Sequence, residues 1–244
     1  DCELSLCHIL GINRAAVLTR PDRLLASSEY DQLELWADAL RNNVPFAYLA
    51  GEQEFWGLSL SINQDVLVPR PETELLVETA LSLLEKNPRI LDLGTGSGAV
   101  ALAIASEALD AEITATDVSA PALAVAKKNA QRLGLRVKFK QSNWFEDLCG
   151  IWKVIVSNPP YIAPQDPHLS ALRVEPAHAL IAQEQGFADL RKIIGQAPKY
   201  LSNQGWLLVE HGYDQGLDVR QLFARAGFQS VSSLRDLADI ERLS

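Results

Sequence analysis

The first 42 residues carry apolar side chains at the spacing of amphipathic helices. Within residues 28–40, Tyr30, Leu33, Trp36 and Leu40 fall three or four positions apart, with acidic residues between them. Four basic and seven acidic side chains give residues 1–42 a net charge of −3, which does not suit a DNA-binding arm. We predict a small N-terminal helical domain that serves for docking or packing.

Residues 43–70 have the shorter period of a β-hairpin. Leu58, Leu60 and Ile62 alternate with polar residues, and glycines and prolines interrupt the segment on either side. We predict a hairpin linker over this segment. Beyond it, a predicted helix begins at Pro71 or Thr73 and runs to about residue 84.

After residue 88, short apolar runs alternate with amphipathic segments. Strands joined by crossover helices form mostly parallel sheets, so residues 71–244 are predicted to be one α/β domain with a doubly wound sheet. Because the sequence has no methionine, begins within a predicted helix and stops within a predicted strand, we expect some residues to be missing from it. The predicted strands are 90–93, 113–116, 137–139, 154–156, 206–209 and 228–234, and the predicted helices are 99–107, 120–133, 188–201 and 219–226.

The composition is that of a folded, acidic protein. Hydrophobic residues make up 48% and charged residues 22%, with a net charge of −9; this excludes a disordered chain and argues against nucleic-acid binding mainly through phosphate contacts. No apolar stretch is long enough for a membrane span, and early charges interrupt any signal-peptide core. An odd count of three cysteines fits a reducing cytoplasm. Cys2, Cys7 and His8 lie near one another in sequence, but no second ligand pair stands at metal-binding spacing, so no metal is predicted.

A glycine-rich turn lies between a predicted strand and a predicted helix. In Asp92-Leu93-Gly94-Thr95-Gly96-Ser97-Gly98, the glycines allow a ligand to approach the backbone. Asp117, at the end of the next strand, can accept hydrogen bonds from both hydroxyls of a ribose. The pattern indicates a nucleoside cofactor, although a turn that serves packing alone is the alternative. Because Asp92 suits a cationic sulfonium better than a diphosphate, S-adenosylmethionine is favoured over a dinucleotide.

The sequence Asn158-Pro159-Pro160-Tyr161 directly follows an apolar predicted strand. Consecutive prolines fix φ, so the turn holds its carbonyl groups in set directions. The carbonyl oxygens of Asn158 and Pro159 can accept both hydrogens of a planar amino group, and Tyr161 offers an aromatic face to a flat substrate. The turn suits methyl transfer to an amide or exocyclic amine nitrogen, with a capping asparagine in a proline-rich turn as the alternative.

The catalytic demand of such a reaction is positioning. An amide nitrogen is a poor nucleophile because its lone pair is delocalised. Hydrogen bonds from both of its N–H groups to fixed acceptors would enrich the electron density at the nitrogen and hold the nitrogen near the methyl donor. Such positioning can lower a barrier by several kcal/mol. No general base is required, since the surplus proton becomes acidic during transfer. We therefore predict Asn158 as the main catalytic residue, supported by Tyr161.

Together, the two motifs resemble those of amino-group methyltransferases. Further stretches narrow the resemblance to the peptide chain release factor glutamine methyltransferases (PrmC/HemK family), and it extends over essentially the whole chain. It implies a Rossmann-like class I methyltransferase domain behind a small helical domain. The stretches are Leu49-Ala50-Gly51-Glu52-Gln53-Glu54-Phe55-Trp56-Gly57, Val68-Pro69-Arg70-Pro71-Glu72-Thr73-Glu74 and Glu210-His211-Gly212.

The resemblance implies that S-adenosylmethionine donates a methyl group, leaving S-adenosylhomocysteine, to the glutamine of a Gly-Gly-Gln loop in class 1 release factors. The helical domain would dock this substrate, and we expect a cytoplasmic monomer without direct contact to nucleic acid or membranes. Asn143 stands where the family often has Asp, which puts an adenine-binding role there in doubt. The implied cofactor contacts are Gly94, Thr95, Gly96, Ser97, Gly98, Asp117, Trp144 (beside the adenine) and Asn158, and the implied substrate contacts are Asn158, Pro159, Pro160 and Tyr161.

Several other interpretations stay open at this point. Arg70, Glu72 and Glu74 either line the active-site rim or serve as helix N-terminal charges. The four histidines are interpreted as structural or surface residues. Alternative functions are a glutamine methyltransferase acting on a ribosomal protein, an adenine-specific nucleic-acid methyltransferase acting on a flipped base, a cofactor-binding protein without catalysis, and a nicotinamide oxidoreductase.

Overall fold

Four short helices form the N-terminal part of the computed structural model, which describes residues 2–20 and 22–244. They are α1 (Cys2–Leu10), α2 (Arg14–Thr19), α3 (Ser27–Arg41) and α4 (Phe46–Ala50). Trp36 of α3 is buried, with its ring 5.3 Å from that of His8 and 5.8 Å from that of Phe46. The helix predicted within residues 28–40 is thus present as α3, whereas α4 lies in a segment for which a hairpin alone is predicted.

A two-stranded antiparallel hairpin follows, as predicted. Its strands are β1 (Glu52–Phe55) and β2 (Leu58–Ser61). Trp56 and Gly57, which join the strands, have φ of 52° and 69°. Two successive left-handed residues give the turn the twist that matches a hairpin, and glycine adopts this conformation most readily.

Five parallel strands build the central sheet: β3 (Arg89–Leu93), β4 (Glu112–Asp117), β5 (Lys138–Gln141), β6 (Trp152–Ser157) and β7 (Leu201–Val209). Their order is β5-β4-β3-β6-β7. β3 and β6 are neighbours at the centre of the sheet. From β3 the chain continues to β4 at one side of this pair, and from β6 it continues to β7 at the other side. Such a reversal opens a crevice at the carboxyl ends of the strands, where ligands bind in doubly wound folds.

Six further helices follow the hairpin, and most of them cover the two faces of the sheet: α5 (Glu74–Ser82), α6 (Ala99–Glu107), α7 (Ala120–Leu133), α8 (Ala177–Leu180), α9 (Ala188–Gln196) and α10 (Gly216–Arg225). Ile90 of β3 belongs to the core cluster under α5, α6 and α7, and Leu91 and Leu93 belong to the cluster under α9 and α10. Apolar side chains of β3 thus pack on both faces of the sheet, which is typical of parallel sheets covered by helices on each side. The predicted α/β class with a doubly wound parallel sheet is confirmed.

One buried asparagine ties the hairpin to the glycine-rich turn. The side chain of Asn129 in α7 accepts a hydrogen bond from Ser61 N (2.7 Å) and donates to Ser61 O (3.1 Å) and Ser97 O (2.9 Å). An asparagine in a helix interior is costly unless its amide is satisfied. Here it joins three segments distant in sequence.

The C-terminal region differs from the sequence-based prediction. The predicted helix 188–201 ends at Gln196, because Pro198 falls in a 3-10 turn, and β7 begins at Leu201. The predicted strand 228–234 is wrong. Phe228 instead packs its ring against Phe223 of α10 at 5.1 Å. A short antiparallel pair follows, β8 (Leu234–Arg235) with β9 (Glu241–Leu243).

Candidate active site

A cavity opens at the carboxyl ends of β3, β4 and β6, where the reversal of strand order predicts it. Asp117 and Asn158, which end β4 and follow β6, both border it. The segments after β2 and β5, together with residues of α7, α8 and α9, complete its wall. The lining residues are Asp65, Val66, Leu67, Gly94, Gly96, Asp117, Val118, Ala122, Ser142, Asn143, Trp144, Asn158, Pro160, His178, Ala179 and Asp189.

Three glycines of the glycine-rich turn, Gly94, Gly96 and Gly98, have a positive φ, and at two of them an added Cβ would also meet neighbouring side chains. Gly94 has φ of 74°, and an added Cβ would lie 3.4 Å from the Trp144 ring. Gly98 has φ of 87°, and an added Cβ would lie 3.0 Å from Leu102 and 3.2 Å from Ala126. The turn is therefore packed tightly against α6 and α7 on one side and lies open to the cavity on the other.

Asp92 lies beneath this turn and is absent from the cavity lining. Its Oδ2 accepts a hydrogen bond from the Thr95 hydroxyl at 2.6 Å. Burial raises the pKa of Asp92 to about 7, although the Thr95 hydrogen bond lowers it. Asp92 supports the turn from behind, which differs from the direct pairing with a sulfonium that the sequence suggested.

Both carboxylate oxygens of Asp117 accept hydrogen bonds from backbone N–H groups of neighbouring turns. Its Oδ2 accepts a hydrogen bond from Gly96 N at 2.9 Å and its Oδ1 accepts one from Ser119 N at 2.8 Å. A carboxylate oxygen has a second lone pair, so each oxygen can still accept from a ligand hydroxyl. The structure thus brings the predicted ribose-binding carboxylate to the edge of the glycine-rich turn.

Trp144 forms a flat wall of the cavity. Its φ of 53° is unusual for a bulky residue, and its indole Nε1 donates to Asp189 Oδ1 at 3.0 Å. Asn143 is turned toward neighbouring side chains: Nδ2 donates to Glu146 (2.7 Å) and Oδ1 accepts from Lys192 (3.2 Å).

The predicted cofactor residues divide into two groups. Those that line the cavity are Gly94, Gly96, Asp117, Trp144 and Asn158, and those that lie outside its lining are Thr95, Ser97 and Gly98.

The Asn158–Tyr161 turn stands between this cavity and a second one. Leu67, Asn158 and Ala179 border both cavities. The second cavity is otherwise lined by Arg70, Pro159, Tyr161, Ile162, Leu172 and Leu180. Asn158 is therefore the polar side chain shared by the two cavities.

Hydrogen bonds hold this turn from several directions. Asn158 Nδ2 donates to the Thr73 hydroxyl at 3.1 Å, which leaves Oδ1 as the acceptor on the other side of the amide. The Tyr161 hydroxyl donates to Glu210 Oε1 at 3.3 Å, and Gln215 Nε2 donates to Tyr161 O at 3.1 Å. Burial raises the pKa of Tyr161 well above its usual range, so this phenol stays neutral. Its ring forms part of the wall of the second cavity.

The segment from Arg70 to Glu74 leads into α5, and two of its charged residues have different contacts. Arg70 borders the second cavity and forms an ion pair with Glu175, whose side chain is buried. Glu74 instead accepts a hydrogen bond from Trp56 N at 2.9 Å, which ties the hairpin to α5. Arg70 thus lies at the rim, and Glu74 has a structural contact.

Comparisons with known proteins identify the family of this chain. Residues 71–186 match the Methyltransferase small domain family, and residues 1–51 match the PrmC N-terminal domain. The chain is similar to the release factor glutamine methyltransferases of Pseudomonas aeruginosa (46% identity) and Escherichia coli (45%), covering 100% of this chain and 90% of each relative. The chain belongs to the release factor glutamine methyltransferase family. The predicted enzyme class, with S-adenosylmethionine as cofactor, is confirmed.

Solved structures support the fold independently of close sequence similarity. A methyltransferase from Pyrococcus furiosus superposes with a TM-score of 0.59 at 18% identity, covering 88% of this chain and 95% of that one. The 16S rRNA N2 G1207 methyltransferase of Thermus thermophilus gives 0.60 at 18% identity, covering 79% of this chain and 48% of that one. At such identities the likeness concerns the fold alone.

Sequence reasoning missed several residues that the fold brings to the cavity. His178, which is exposed as expected for a surface histidine, borders it, and so does Asp189. Neither lies in a recognisable motif; Asp189 is a first-turn acid of α9, which carries no functional signal by itself. Within the described residues, no cluster of three metal-ligating side chains is present, and no helix is long and apolar enough to cross a membrane.

Proposed function

We propose that this protein transfers a methyl group from S-adenosylmethionine to the side-chain amide nitrogen of the glutamine in the Gly-Gly-Gln loop of class 1 release factors. The observation that carries the proposal is the position of Asn158 between two adjoining cavities. An enzyme that transfers a methyl group to an amide nitrogen needs the methyl donor and the acceptor amide on either side of a group that positions the amide.

The chain's own residues supply the orientation of the amide. Asn158 Nδ2 is engaged by Thr73, so Oδ1 is available to accept one N–H of the substrate amide, and the Pro159 carbonyl accepts the other. Two acceptors in a rigid turn fix the plane of the amide and direct its nitrogen to the first cavity. Tyr161 limits the second cavity and gives the glutamine side chain an aromatic wall. Asn158 and Tyr161 are thus the proposed catalytic residues.

The first cavity fits the proposed cofactor by its donor and acceptor groups. Asp117 offers a carboxylate for two ribose hydroxyls, Trp144 offers a ring for the adenine, and the turn from Gly94 to Gly98 gives close access to the backbone. When bound there, S-adenosylmethionine supplies the methyl group. The proposed cofactor contacts are Gly94, Thr95, Gly96, Ser97, Gly98, Asp117, Trp144 and Asn158.

The helical residues 1–42 are proposed to dock the release factor, ahead of a linker over 43–70 and a methyltransferase domain over 71–244. In support, Leu24 and Leu35 are 92% and 68% exposed although both are apolar. With a net charge of −9, contact with a basic protein is better supported than contact with nucleic acid. We further propose that the enzyme is a monomer and acts in the cytoplasm, where translation takes place.

The direct test uses labelled S-adenosylmethionine with the full chain. We expect label on a class 1 release factor, and none on the same factor with Gln replaced in its Gly-Gly-Gln loop. Duplex DNA and ribosomal proteins serve as parallel acceptors. Label on either of them in place of the factor would contradict the proposed substrate, and no label on any acceptor would contradict the proposed reaction.

Replacing the exposed leucines tests the docking role. We expect Leu24→Ser with Leu35→Ser to raise KM for the release factor about thirtyfold, because two apolar contacts at an interface, each contributing on the order of 1 kcal/mol, together correspond to a change of that size. Steady-state kinetics would measure KM and kcat, with kcat unchanged. Leu109→Ser is the matched control, since Leu109 is 86% exposed and lies outside residues 1–42. An unchanged KM in the double variant would remove the docking role from these leucines.

A further inference from the structure

Arg70 is the one charged side chain in the lining of the second cavity, as far as the described residues show. The rest of that lining is apolar apart from Asn158 and Tyr161. Asn158 Nδ2 already donates to the Thr73 hydroxyl. The Tyr161 hydroxyl already donates to Glu210 Oε1. Arg70 is therefore the side chain in this lining with the most hydrogen-bond donors left for a ligand.

The backbone and the side chain of Arg70 are both held in place by their surroundings. A residue that precedes a proline is restricted to extended conformations, and Arg70, which precedes Pro71, has φ of −100° and ψ of 143°. Its Nη2 forms an ion pair with Glu175 Oε1, and Val68 N donates to Glu175 Oε2 at 3.1 Å. The Glu175 side chain is only 2% exposed, so this anchor is shielded from water. A side chain that is ordered beforehand loses less entropy when it binds a ligand.

The Arg70 guanidinium keeps donors that the ion pair does not use. A guanidinium has five N–H groups in one plane, and among the described residues Glu175 is its one hydrogen-bond and ion-pair partner, through Nη2. The Arg70 side chain is 35% exposed, so its remaining N–H groups are accessible at the mouth of the second cavity. Because the guanidinium is charged, hydrogen bonds from it to carbonyl oxygens are stronger than those between neutral groups.

A Gly-Gly-Gln loop offers an enzyme few side-chain atoms, because two of its three residues are glycines. Its main-chain carbonyl oxygens are therefore prominent among the groups by which the loop can be recognised, and burying one of them without a donor is costly. In the proposed reaction, the acceptors Asn158 Oδ1 and Pro159 O bind the amide N–H groups of the glutamine. Neither of them can satisfy a carbonyl oxygen of the loop, so a donor is needed at the mouth of the cavity.

We propose that Arg70 is a substrate-binding residue that donates hydrogen bonds to main-chain carbonyl oxygens of the Gly-Gly-Gln loop. This rests on the proposed function, because it takes the second cavity to be the place that receives the loop. The side-chain oxygen of the glutamine is a poorer partner, since a charged donor on that oxygen would draw electron density away from the amide nitrogen and weaken it as a nucleophile. Arg70 thus contributes to binding of the loop and leaves the methyl-transfer step unchanged.

Arg70→Lys tests this contact by the split between KM and kcat. Lysine keeps a positive charge for Glu175 but has a single nitrogen, so it lacks the donors that the guanidinium directs elsewhere. We expect KM for the release factor to rise roughly tenfold or more, the size expected for lost charge-assisted hydrogen bonds, with kcat and the cofactor Kd within about threefold of wild type. Arg89→Lys is the matched control, because Arg89 begins β3 at the opposite edge of the sheet and pairs with Glu112. An unchanged KM, or a loss confined to kcat, would overturn the proposal.

A pair of variants separates substrate binding from the support that Arg70 gives to Glu175. Arg70→Met leaves the buried carboxylate without its cation, so we expect it to lower stability as well as affinity. Adding Glu175→Gln removes the uncompensated charge and keeps an oxygen for Val68 N. In the double variant we expect thermal denaturation to show recovered stability, while KM for the release factor stays raised roughly tenfold or more. Recovery of KM along with stability would mean that Arg70 acts only through Glu175, and would overturn the proposal.

Binding measured without turnover distinguishes a failure of this proposal from a failure of the proposed function. Calorimetry would compare binding of a release factor to wild type and to Arg70→Lys, both as the full chain loaded with S-adenosylhomocysteine. We expect Kd to be raised roughly tenfold in Arg70→Lys, and the difference to vanish with a factor whose Gly-Gly-Gln loop is deleted.

The outcomes of this comparison point in different directions. A raised Kd that depends on the loop, together with no methylation of the factor, would support the role of Arg70 and contradict the proposed reaction. Equal Kd for wild type and Arg70→Lys, with normal methylation by wild type, would overturn the role of Arg70 alone. A raised Kd that persists without the loop would also overturn it, and no binding of the factor to wild type would contradict both proposals.

Discussion

Asn158→Ala is expected to lower kcat for methyl transfer by roughly two to three orders of magnitude, comparable to the loss of a preorganised transition-state contact in other enzymes. The substitution removes the acceptor that orients one substrate N–H, and it leaves the Pro159 carbonyl to hold the amide alone. An amide that is free to rotate spends little time with its nitrogen in line with the methyl donor. Single-turnover transfer of labelled methyl to a release factor would measure the effect.

Cofactor binding serves as the internal control for this variant. Since Asn158 is one of several side chains that line the first cavity, the cofactor Kd, measured by calorimetry, is expected to change by much less than kcat. Asn203→Ala is the matched substitution, because Asn203 is exposed on β7. Full turnover by Asn158→Ala, with intact cofactor binding, would remove Asn158 from the catalytic role.

Gly186→Ala is expected to destabilise the protein by about 3 kcal/mol or more and to reduce methyl transfer. Gly186 is buried with φ of 91°, and an added Cβ would clash with the carbonyl oxygen of Tyr161 and lie 2.8 Å from Gln215 Nε2. The left-handed backbone alone costs a non-glycine residue about 1–2 kcal/mol, and a clash with a buried backbone carbonyl adds to it. Because Gln215 donates to this carbonyl, the clash is expected to displace the end of the Asn158–Tyr161 turn, which we propose to be catalytic.

Urea denaturation and labelled-methyl kinetics would measure both effects of Gly186→Ala. Gly195→Ala is the matched control, since Gly195 lies within α9 and an added Cβ meets nothing within 4 Å. In a helix interior, alanine is favoured over glycine by about 0.5–1 kcal/mol, so the control is expected to be stabilised. A Gly186→Ala variant as stable and active as wild type would show that the Tyr161 carbonyl can move without consequence.

The motifs that could be recognised from the sequence are those whose backbone conformation is determined by a few consecutive residues. The glycine-rich turn and Asn158-Pro159-Pro160-Tyr161 each occupy a few consecutive residues, and their backbone is limited by glycine and proline themselves. The same is true of α7, whose N-cap Ser119 and left-handed Gly134 mark its two ends. The wrong strand prediction for residues 228–234 shows where local patterns stop being informative. Phe228 is apolar because it packs against Phe223 of α10, and not because it belongs to a strand.

What the sequence by itself determined is therefore the doubly wound α/β class, the enzyme family and the two segments that border the candidate site. The tertiary structure alone decided which side chains support these segments: Trp144 donates a hydrogen bond to Asp189, Arg70 forms an ion pair with Glu175, and Asn158 donates to Thr73. Local motifs depend on dihedral preferences that act within a few residues. Contacts between side chains far apart in the chain depend on how the helices and strands pack, and no pattern in one sequence encodes that pairing.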